Sequence, residues 1–337
     1  MSIDIITFGS ATKDIFLKSK KFRVVGEKKF ITGQGLCWSL GSKIDVEDML
    51  FSIGGGGTNT AATFANQGFK TAFCGMVGQD QAGREVLKEL GGLGITAALV
   101  KKNNRKITNH SIILSASGKK ERTILAYRGA AGELSKKDIP WAELKAKWFY
   151  LAPLSGKSAL TSEALVDFAG KNKIKVALNP GNSQLALPQK QLERILAKIN
   201  ILLLNREEAS LLTKIPYQKE AEIFKKLDKL VPGVCVMTKG MEGAVVSDGQ
   251  YLYKAKAMNL EPVDWTGAGD SFGSGFVSGF IQSKGDIEYG IRLGAANSAA
   301  CLKKIGAKEG LLKKGEKWPQ VKVEKELCAL NNRCSVK

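Results

Sequence analysis

The sequence predicts an α/β fold: a doubly wound, mainly parallel sheet flanked by helices, with a small β-sheet lid. Two observations support this fold class. First, short apolar segments without strict alternation, as expected of strands covered on both faces, alternate with amphipathic helical segments. Second, two stretches interrupt this rhythm with hairpin-like strand patterns, and we interpret them as the lid.

Six apolar segments, rich in Val, Ile and Leu, are predicted to be the strands of the sheet. They lie at residues 3–8, 71–77, 148–152, 175–179, 201–205 and 234–238. Helical patterns lie at residues 58–67, 82–90, 158–170, 187–197, 207–212 and 221–230. Asp80 is well placed to cap the second of these helices. Because ligands of such sheets bind at the carboxyl ends of the strands, we expect the functional site at that edge.

The domain organisation follows from these elements. The α/β core is predicted to comprise residues 1–14, 53–107 and 128–320, and the inserted β lid residues 15–52 and 108–127. Residues 321–337 are expected to form a C-terminal tail. A lid of this kind closes over a site; surface decoration or a dimer contact are the alternatives, and lid and dimer contact are compatible.

The net charge of +19 raises the question of a nucleic-acid partner. The basic residues are mostly Lys spread along the whole chain, without an Arg cluster or a zinc-finger or RNA-binding pattern. We therefore interpret the charge as a solvated surface and expect no specific nucleic acid. No apolar segment approaches the roughly 20 residues of a membrane span. The six cysteines lack metal-type spacing, and together these features predict a cytoplasmic protein without membrane contact.

The segment from Asp264 to Asp270 carries the strongest chemical signal. Small residues, Gly267-Ala268-Gly269, stand directly before a helix with an apolar stripe, where free backbone N–H groups and the helix dipole favour an anion. Asp270 in the first helical turn could then accept a proton from a substrate hydroxyl. The alternative is a glycine-rich turn with Asp270 as an ordinary cap, which would leave the small residues between two acids unexplained.

Two other segments offer substrate contacts. Four consecutive glycines, residues 54–57, lead into a helix that carries Asn59, whose amide suits a sugar diol. Asp14 follows the first predicted strand, where a carboxylate could bind two hydroxyls. Considered alone, each segment also fits a plain structural reading, as a flexible loop and a turn Asp.

Taken in chain order, these segments resemble the signatures of the ribokinase-like (phosphofructokinase-B type) family of carbohydrate and nucleoside kinases. The resemblance covers roughly residues 3–306 and rests on six motifs. The motifs are Gly-Gly-x-Gly-x-Asn at 54–59, Val-Gly-Gln-Asp with a following Gly at 77–83, Asn-x-x-Glu at 205–208, a nucleotide-loop pattern at 238–243, Asp-x-x-Gly-Ala-Gly-Asp at 264–270 and an adenine-bordering pattern at 295–307.

The resemblance implies a role for each matching residue. Asp270 is similar to the catalytic base, and the amides of Gly267, Ala268 and Gly269 are similar to the anion hole. The implied substrate contacts are Asp14, Gly54, Gly55 and Asn59, and the implied nucleotide contacts are Asn205, Thr238, Gly240, Gly243 and Asn297. Asn205 and Glu208 resemble the pair that positions Mg²⁺, often through water. Asp264 and Thr266 lie where many members hold a monovalent cation such as K⁺, although the Trp265 between them is unusual.

The implied activity is ATP- and Mg²⁺-dependent phosphorylation of a hydroxyl on a small sugar, with a possible homodimer through the lid. A nucleoside kinase is one alternative. A 2-keto-3-deoxygluconate-type sugar-acid kinase is another, because Tyr127-Arg128 resembles the feature that meets the acid in such enzymes; a surface Arg128 is the plain reading. A nucleotide- or sugar-binding pseudokinase is the non-enzyme alternative. The sequence leaves open the acceptor, its hydroxyl, the phosphoryl donor and the oligomeric state.

Overall fold

The computed structural model describes residues 3–28, 30, 33–116 and 122–328. The strands are β1 (Ile3–Phe8), β2 (Thr12–Ser19), β3 (Arg23–Gly26), β4 (Gln34–Cys37), β5 (Asp48–Gly54), β6 (Thr71–Cys74), β7 (Met76–Gly78), β8 (Lys101–Asn103), β9 (Asn109–Ala116), β10 (Arg122–Tyr127), β11 (Ala146–Leu151), β12 (Lys175–Leu178), β13 (Ile201–Asn205), β14 (Val234–Thr238), β15 (Ala244–Ser247), β16 (Tyr251–Ala255) and β17 (Val323–Leu327). The α-helices are α1 (Gly56–Asn66), α2 (Gln81–Gly92), α3 (Ser162–Lys171), α4 (Asn182–Leu185), α5 (Gln189–Leu196), α6 (Arg206–Thr213), α7 (Glu220–Leu230), α8 (Ala268–Gln282) and α9 (Ile287–Cys301).

A nine-stranded sheet forms the core, in the order β6-β1-β11-β12-β13-β14-β15-β16-β17. The strands from β6 to β14 are parallel, and β15, β16 and β17 continue the sheet antiparallel. This confirms the predicted doubly wound, mainly parallel sheet. Strand β1 lies between β6 and β11, so the core strand that follows β1 in the chain lies on one side of it and those after β6 lie on the other. That reversal is the place where α/β sheets open a crevice for ligands.

Both faces of the sheet are covered, which explains the continuous apolar strands. On one face Ile5 and Tyr150 pack with Phe64 of α1 and Phe276 of α8. On the other face Ile6, Phe8, Phe149 and Leu151 pack with apolar residues of α3, α5 and α7. Because successive side chains of a strand point to opposite faces, each short apolar run supplies two cores at once.

The lid is a separate four-stranded sheet in the order β10-β9-β2-β5. Strand β2 pairs parallel with β9 and antiparallel with β5, and β10 pairs antiparallel with β9. The lid strands extend slightly beyond the predicted boundaries. Asp14, expected in the core, is the third residue of the lid strand β2, and Gly54 ends the lid strand β5. Both residues therefore stand where the lid joins the core.

One local prediction is confirmed, and two differ from the structure. Asp80 caps α2 by accepting a hydrogen bond from the Gly83 N–H at 3.0 Å. The strand predicted at 71–77 is divided at Gly75 into β6 of the core sheet and β7, which pairs with β8 instead. The segment predicted as a tail contains β17, which pairs with β16, so its described part belongs to the core sheet. Residues 329–337 lie outside the described residues.

Within the described ranges, no helix combines the length and the apolar character that a membrane crossing needs.

Candidate active site

The N-terminus of α8 forms a small open cradle at the carboxyl edge of the sheet. Gly267, the residue before the helix, has φ +81°, and a Cβ there would lie 2.6 Å from the Cβ of Ala307, so only glycine fits. A Cβ on Gly269 would meet nothing within 4 Å, which means that the backbone at this residue borders open space. Helix geometry leaves the first-turn N–H groups of Ala268, Gly269 and Asp270 without carbonyl partners four residues earlier. The Ala268 N–H donates to the Trp265 carbonyl at 3.4 Å, which leaves the N–H groups of Gly269 and Asp270 as the free donors of this turn.

Asp270 and Asn59 meet across this cradle from two different helices. The Asn59 amide donates from Nδ2 to Asp270 Oδ2 at 2.8 Å. Burial raises the pKa of the Asp270 carboxyl, while this hydrogen bond and the charge of Lys308 act in the opposite direction. The Asn59 Oδ1 is buried and has no protein partner, so it can accept a bond from a ligand hydroxyl. The two motifs that the sequence predicted separately therefore form one site.

Asp14 is the second carboxylate of the site. It is buried, with 7% of its surface exposed, and burial raises its pKa to about 6, against the effects of a Ser111 hydrogen bond and the charge of Lys308. A Cβ on Gly54 would lie 2.0 Å from Asp14 Oδ2, so this glycine makes room for the carboxylate. The charges of Asp264 and Asp270 also raise the pKa of Asp14.

Lys308 is a site residue that the sequence motifs did not single out. Its side chain is 7% exposed, and Nζ donates to the Ile53 carbonyl at 2.9 Å and to Glu89 Oε1 at 2.6 Å. Ile53 directly precedes the glycine loop, so Lys308 ties that loop to α2. Burial lowers the pKa of Lys308, and its charge lowers the pKa of both Asp14 and Asp270. One Lys in a chain rich in Lys forms no recognisable sequence motif. Its role becomes visible only from its contacts in the folded structure.

Asn205 and Glu208 form a reciprocal cap at the start of α6. Asn205 Oδ1 accepts from the Glu208 N–H, and Glu208 Oε2 accepts from the Asn205 N–H, both at 2.8 Å. Burial raises the pKa of the Glu208 carboxyl, and the charges of Glu207 and Asp270 raise it further. Glu208 Oε1 takes no part in this cap, and Mg²⁺ usually keeps several waters and binds through one or two carboxylates, so these residues fit the expected Mg²⁺. The described residues contain no cluster of three or more His, Cys, Asp or Glu that could hold a metal.

A mostly apolar cleft adjoins the cradle. It has about 770 Å³ of space including its mouth, within the usual range for small-molecule sites. Its walls include Thr238, Gly240, Gly243, Ala268 and Gly269, together with apolar side chains such as Phe272 and Leu302. Five of the predicted nucleotide and anion-hole positions thus share one cleft.

Asn297 does not line this cleft, in contrast to its predicted nucleotide contact. It is fully buried, and its amide donates to the Ser271 carbonyl and accepts from the Leu312 N–H. It therefore joins α9 to α8 and to the C-terminal segment. The next residue, Ser298, lines the cleft instead.

The Asp264 carboxylate, expected to hold a monovalent cation with Thr266, is already engaged. Its Oδ1 accepts from Thr266 N at 3.0 Å and from Thr266 Oγ1 at 2.8 Å, and its Oδ2 accepts from Gly306 N at 3.0 Å. The guanidinium of Arg122 lies 3.8 Å from Oδ1. A cation bound by Asp264 would share the carboxylate with this positive charge, so the residues do not fit a monovalent cation well.

Arg128 borders a second, polar cavity beneath the lid. The cavity is lined by side chains of the lid and of the core loops, among them Ser10, His110, Ser111, Ser155 and Asn182. None of its lining residues is acidic. Ser111 connects this cavity to the site, because its side chain also hydrogen-bonds to Asp14. Arg128, a predicted substrate contact, therefore lines a cavity that lies next to Asp14. Its side chain is exposed.

The sequence is similar to known carbohydrate kinases. The model of the pfkB family carbohydrate kinases matches residues 20–314. The chain is 27% identical over 286 residues to a ribokinase of Haemophilus influenzae, covering 80% of this chain and 88% of that protein.

The fold is also similar to solved structures. The structure of Arabidopsis thaliana ribokinase complexed with ribose and ATP has a TM-score of 0.75 at 23% identity, covering 93% of this chain and 96% of that one. The nucleoside kinase of Burkholderia thailandensis in complex with inosine also has a TM-score of 0.75, at 17% identity, covering 93% and 95% of the two chains. At these identities the likeness concerns the fold.

Proposed function

Because this chain belongs to the pfkB family of carbohydrate kinases, we propose that it transfers the γ-phosphoryl group of ATP to a hydroxyl of a small sugar. The observation that carries the proposal is the pairing of Asp270 with Asn59 beside the open backbone at Gly269. This pairing supports a site in which Asp270 serves as general base, Asn59 binds a hydroxyl and the start of α8 receives an anion. Phosphoryl transfer needs mainly such alignment and charge stabilisation.

Each part of the site has a distinct task in this reaction. Asp14 and the free Oδ1 of Asn59 accept hydrogen bonds from sugar hydroxyls and so orient the acceptor. Asp270 takes the proton of the attacking hydroxyl, and the burial that raises its pKa makes the carboxylate a stronger base than an exposed one. The first-turn N–H groups of α8 stabilise the charge on the transferred group.

The apolar cleft next to the cradle suits the nucleotide. Its opening at Gly269 would place the terminal phosphate at the start of α8, with the base among the apolar side chains further in. Asn205 and Glu208 would hold Mg²⁺, which supplies charge neutralisation for the phosphates. The expected cytoplasmic location accompanies the proposal, since ATP is available there.

A sugar acid is the second candidate acceptor, and the cavity at Arg128 favours it. The guanidinium borders a polar cavity without acidic lining residues, next to the Ser111 that contacts Asp14. A carboxylate on the acceptor could pair there with Arg128, and such contacts are directional enough to select acids. A neutral sugar would leave this cavity to water.

The test is turnover of Mg-ATP with a panel of pentoses, hexoses, nucleosides and sugar acids, measured as nucleotide release and as phosphorylated product. We expect product with at least one sugar or sugar acid. The Arg128→Ala variant should raise the KM for acids and leave the KM for neutral sugars unchanged. Nucleotide binding without product on the whole panel would contradict the kinase and favour a binding protein.

A further inference from the structure

Arg122 is the first residue of the lid strand β10, yet its guanidinium reaches the core. Its Nη1 lies 3.8 Å from Oδ1 of Asp264, in the loop that leads into α8. The side chain of Arg122 is 22% exposed and that of Asp264 is 9% exposed, so this pair differs from a solvated surface salt bridge. The Arg122 Nε is buried and has no hydrogen-bond partner. A charge held in this way needs a compensating carboxylate, and Asp264 provides it.

The groove in which Arg122 lies is formed by both parts of the molecule. Lid residues, among them Leu17, Lys18 and Ile113, form one wall, and core residues, among them Val263 and Trp265, form the other. Arg122 thus crosses from the lid to the core at a place where nothing covalent connects them. Any movement of the lid away from the core would withdraw the guanidinium from Asp264.

Asp264 in turn sets the geometry of the cradle. Its carboxylate holds the backbone of Thr266 and of Gly306, and Gly267, with its positive φ, follows directly. The carbonyl oxygens of Thr266, Gly306 and Ala307 gather at 3.7, 3.9 and 3.5 Å around the thiol of Cys301. The Asp264 oxygens are therefore already close to a guanidinium and to N–H donors, whereas the Cys301 thiol can donate its one proton to only one of the three carbonyls.

We propose that the Arg122 guanidinium supplies at Asp264 the positive charge that a monovalent cation supplies in many members of the family. Activity of this chain would then be independent of added K⁺, and the charge would reach the cradle only when the lid is closed. The proposal rests on the kinase activity proposed above, but it concerns the loop before α8 and not the acceptor.

The experiment removes the positive charge of Arg122 by substitution and offers K⁺ in its place. Activity and thermal unfolding temperature are measured with and without K⁺, in a buffer whose only cations are bulky organic ones and Mg²⁺. The wild type should show no response to K⁺ in either measurement. Arg122→Met, which keeps an apolar stem, should lose turnover by about tenfold or more without K⁺ and recover when K⁺ is added. The unfolding temperature of this variant should also rise with K⁺.

Two further variants make the outcome specific. Arg122→Lys retains a positive charge and should remain independent of K⁺. Lys18→Ala removes a neighbouring cation from the same groove and should also behave like the wild type. The proposal is overturned if the wild type is activated by K⁺, or if Arg122→Met shows no response to K⁺ in either measurement. The unfolding measurement needs no substrate, so its result stands even if the kinase assignment fails.

Discussion

At the scale of single residues, Asp14 is a buried acid whose folded and unfolded states differ in proton affinity. Burial raises its pKa from 3.8 to about 6. Between these values the folded state binds more protons than the unfolded state, so the contribution of Asp14 to stability falls as pH rises through this window. Such an arrangement, in which stability is lost at neutral pH, is typical of a group retained for function.

The prediction concerns the free energy of unfolding of the wild type relative to Asp14→Asn. Because the displaced pKa corresponds to about 3 kcal/mol, this difference should decrease by that amount between acidic and neutral pH. Denaturant unfolding of both proteins across that range measures it. A difference that is constant with pH would show that Asp14 titrates normally in the folded protein.

Lys308 acts on both carboxylates at once. Its charge lowers the pKa of Asp14 and Asp270, so Lys308→Met should raise both and move the acidic limb of the kcat/KM profile for the acceptor to higher pH. The pH dependence of kcat/KM measures this shift. Lys304→Met, an exposed change in the same segment, is the control and should leave the profile unchanged. An unshifted profile in Lys308→Met would mean that its role is limited to holding Ile53 and Glu89.

Residues in short motifs could be predicted from the sequence, and isolated ones could not. Gly267, Asn59 and Asp270 stand in patterns whose chemistry depends on spacing, and the structure brings them together. Lys308 and Arg122 lie close to carboxylates that are distant in the sequence, Glu89 and Asp264. A local sequence pattern cannot predict such a contact. Asn297 stands in a motif, but its side chain points into the protein interior and Ser298 borders the cleft.

At the scale of elements, the start of α8 offers a test that separates shape from stability. Gly269→Ala adds a methyl group that would project into the open cradle without a clash. Since Ala favours a helix over Gly by about 1 kcal/mol, the fold should be at least as stable. Turnover should nevertheless fall, because the methyl group would occupy the place proposed for the phosphoryl group.

The control for this change lies on another helix. Gly91→Ala in α2 also adds a methyl group to open space, away from the cleft, and should leave kcat unchanged. Steady-state kinetics and unfolding temperatures of both variants provide the comparison. If the Gly269→Ala variant were fully active, the transferred phosphoryl group would have to bind somewhere other than at the start of α8.

Element types could be predicted better than pairing partners. The parallel strands are continuous apolar runs, and β13 and β14 have the predicted bounds. Strand β17 has the sequence Val-Glu-Lys-Glu-Leu, with mostly exposed residues, and it is held by its backbone pairing with β16. A strand of that kind lacks the apolar pattern on which sequence prediction depends.

At the scale of the whole molecule, the lid presents apolar side chains on its edge strands. Met49 and Phe51 of β5 are each 55% exposed, and Leu125 of β10 is 52% exposed. Exposed apolar edges invite a partner, and the predicted homodimer through the lid would cover them. Light scattering should therefore show a dimer that Leu125→Glu dissociates. Leu211→Glu, at a 57% exposed position of α6, should remain dimeric. A monomeric wild type would contradict this prediction.

The most direct test of the proposed mechanism is the turnover of Asp270→Asn. The amide can still accept the hydrogen bond from Asn59 but cannot take a proton, so kcat should fall by about 10²–10⁴-fold while ATP affinity is retained. Asp286→Asn alters the capping acid of the next helix, whose side chain accepts from the Tyr289 N–H, and should keep its activity. Near-normal kcat in Asp270→Asn would contradict the account.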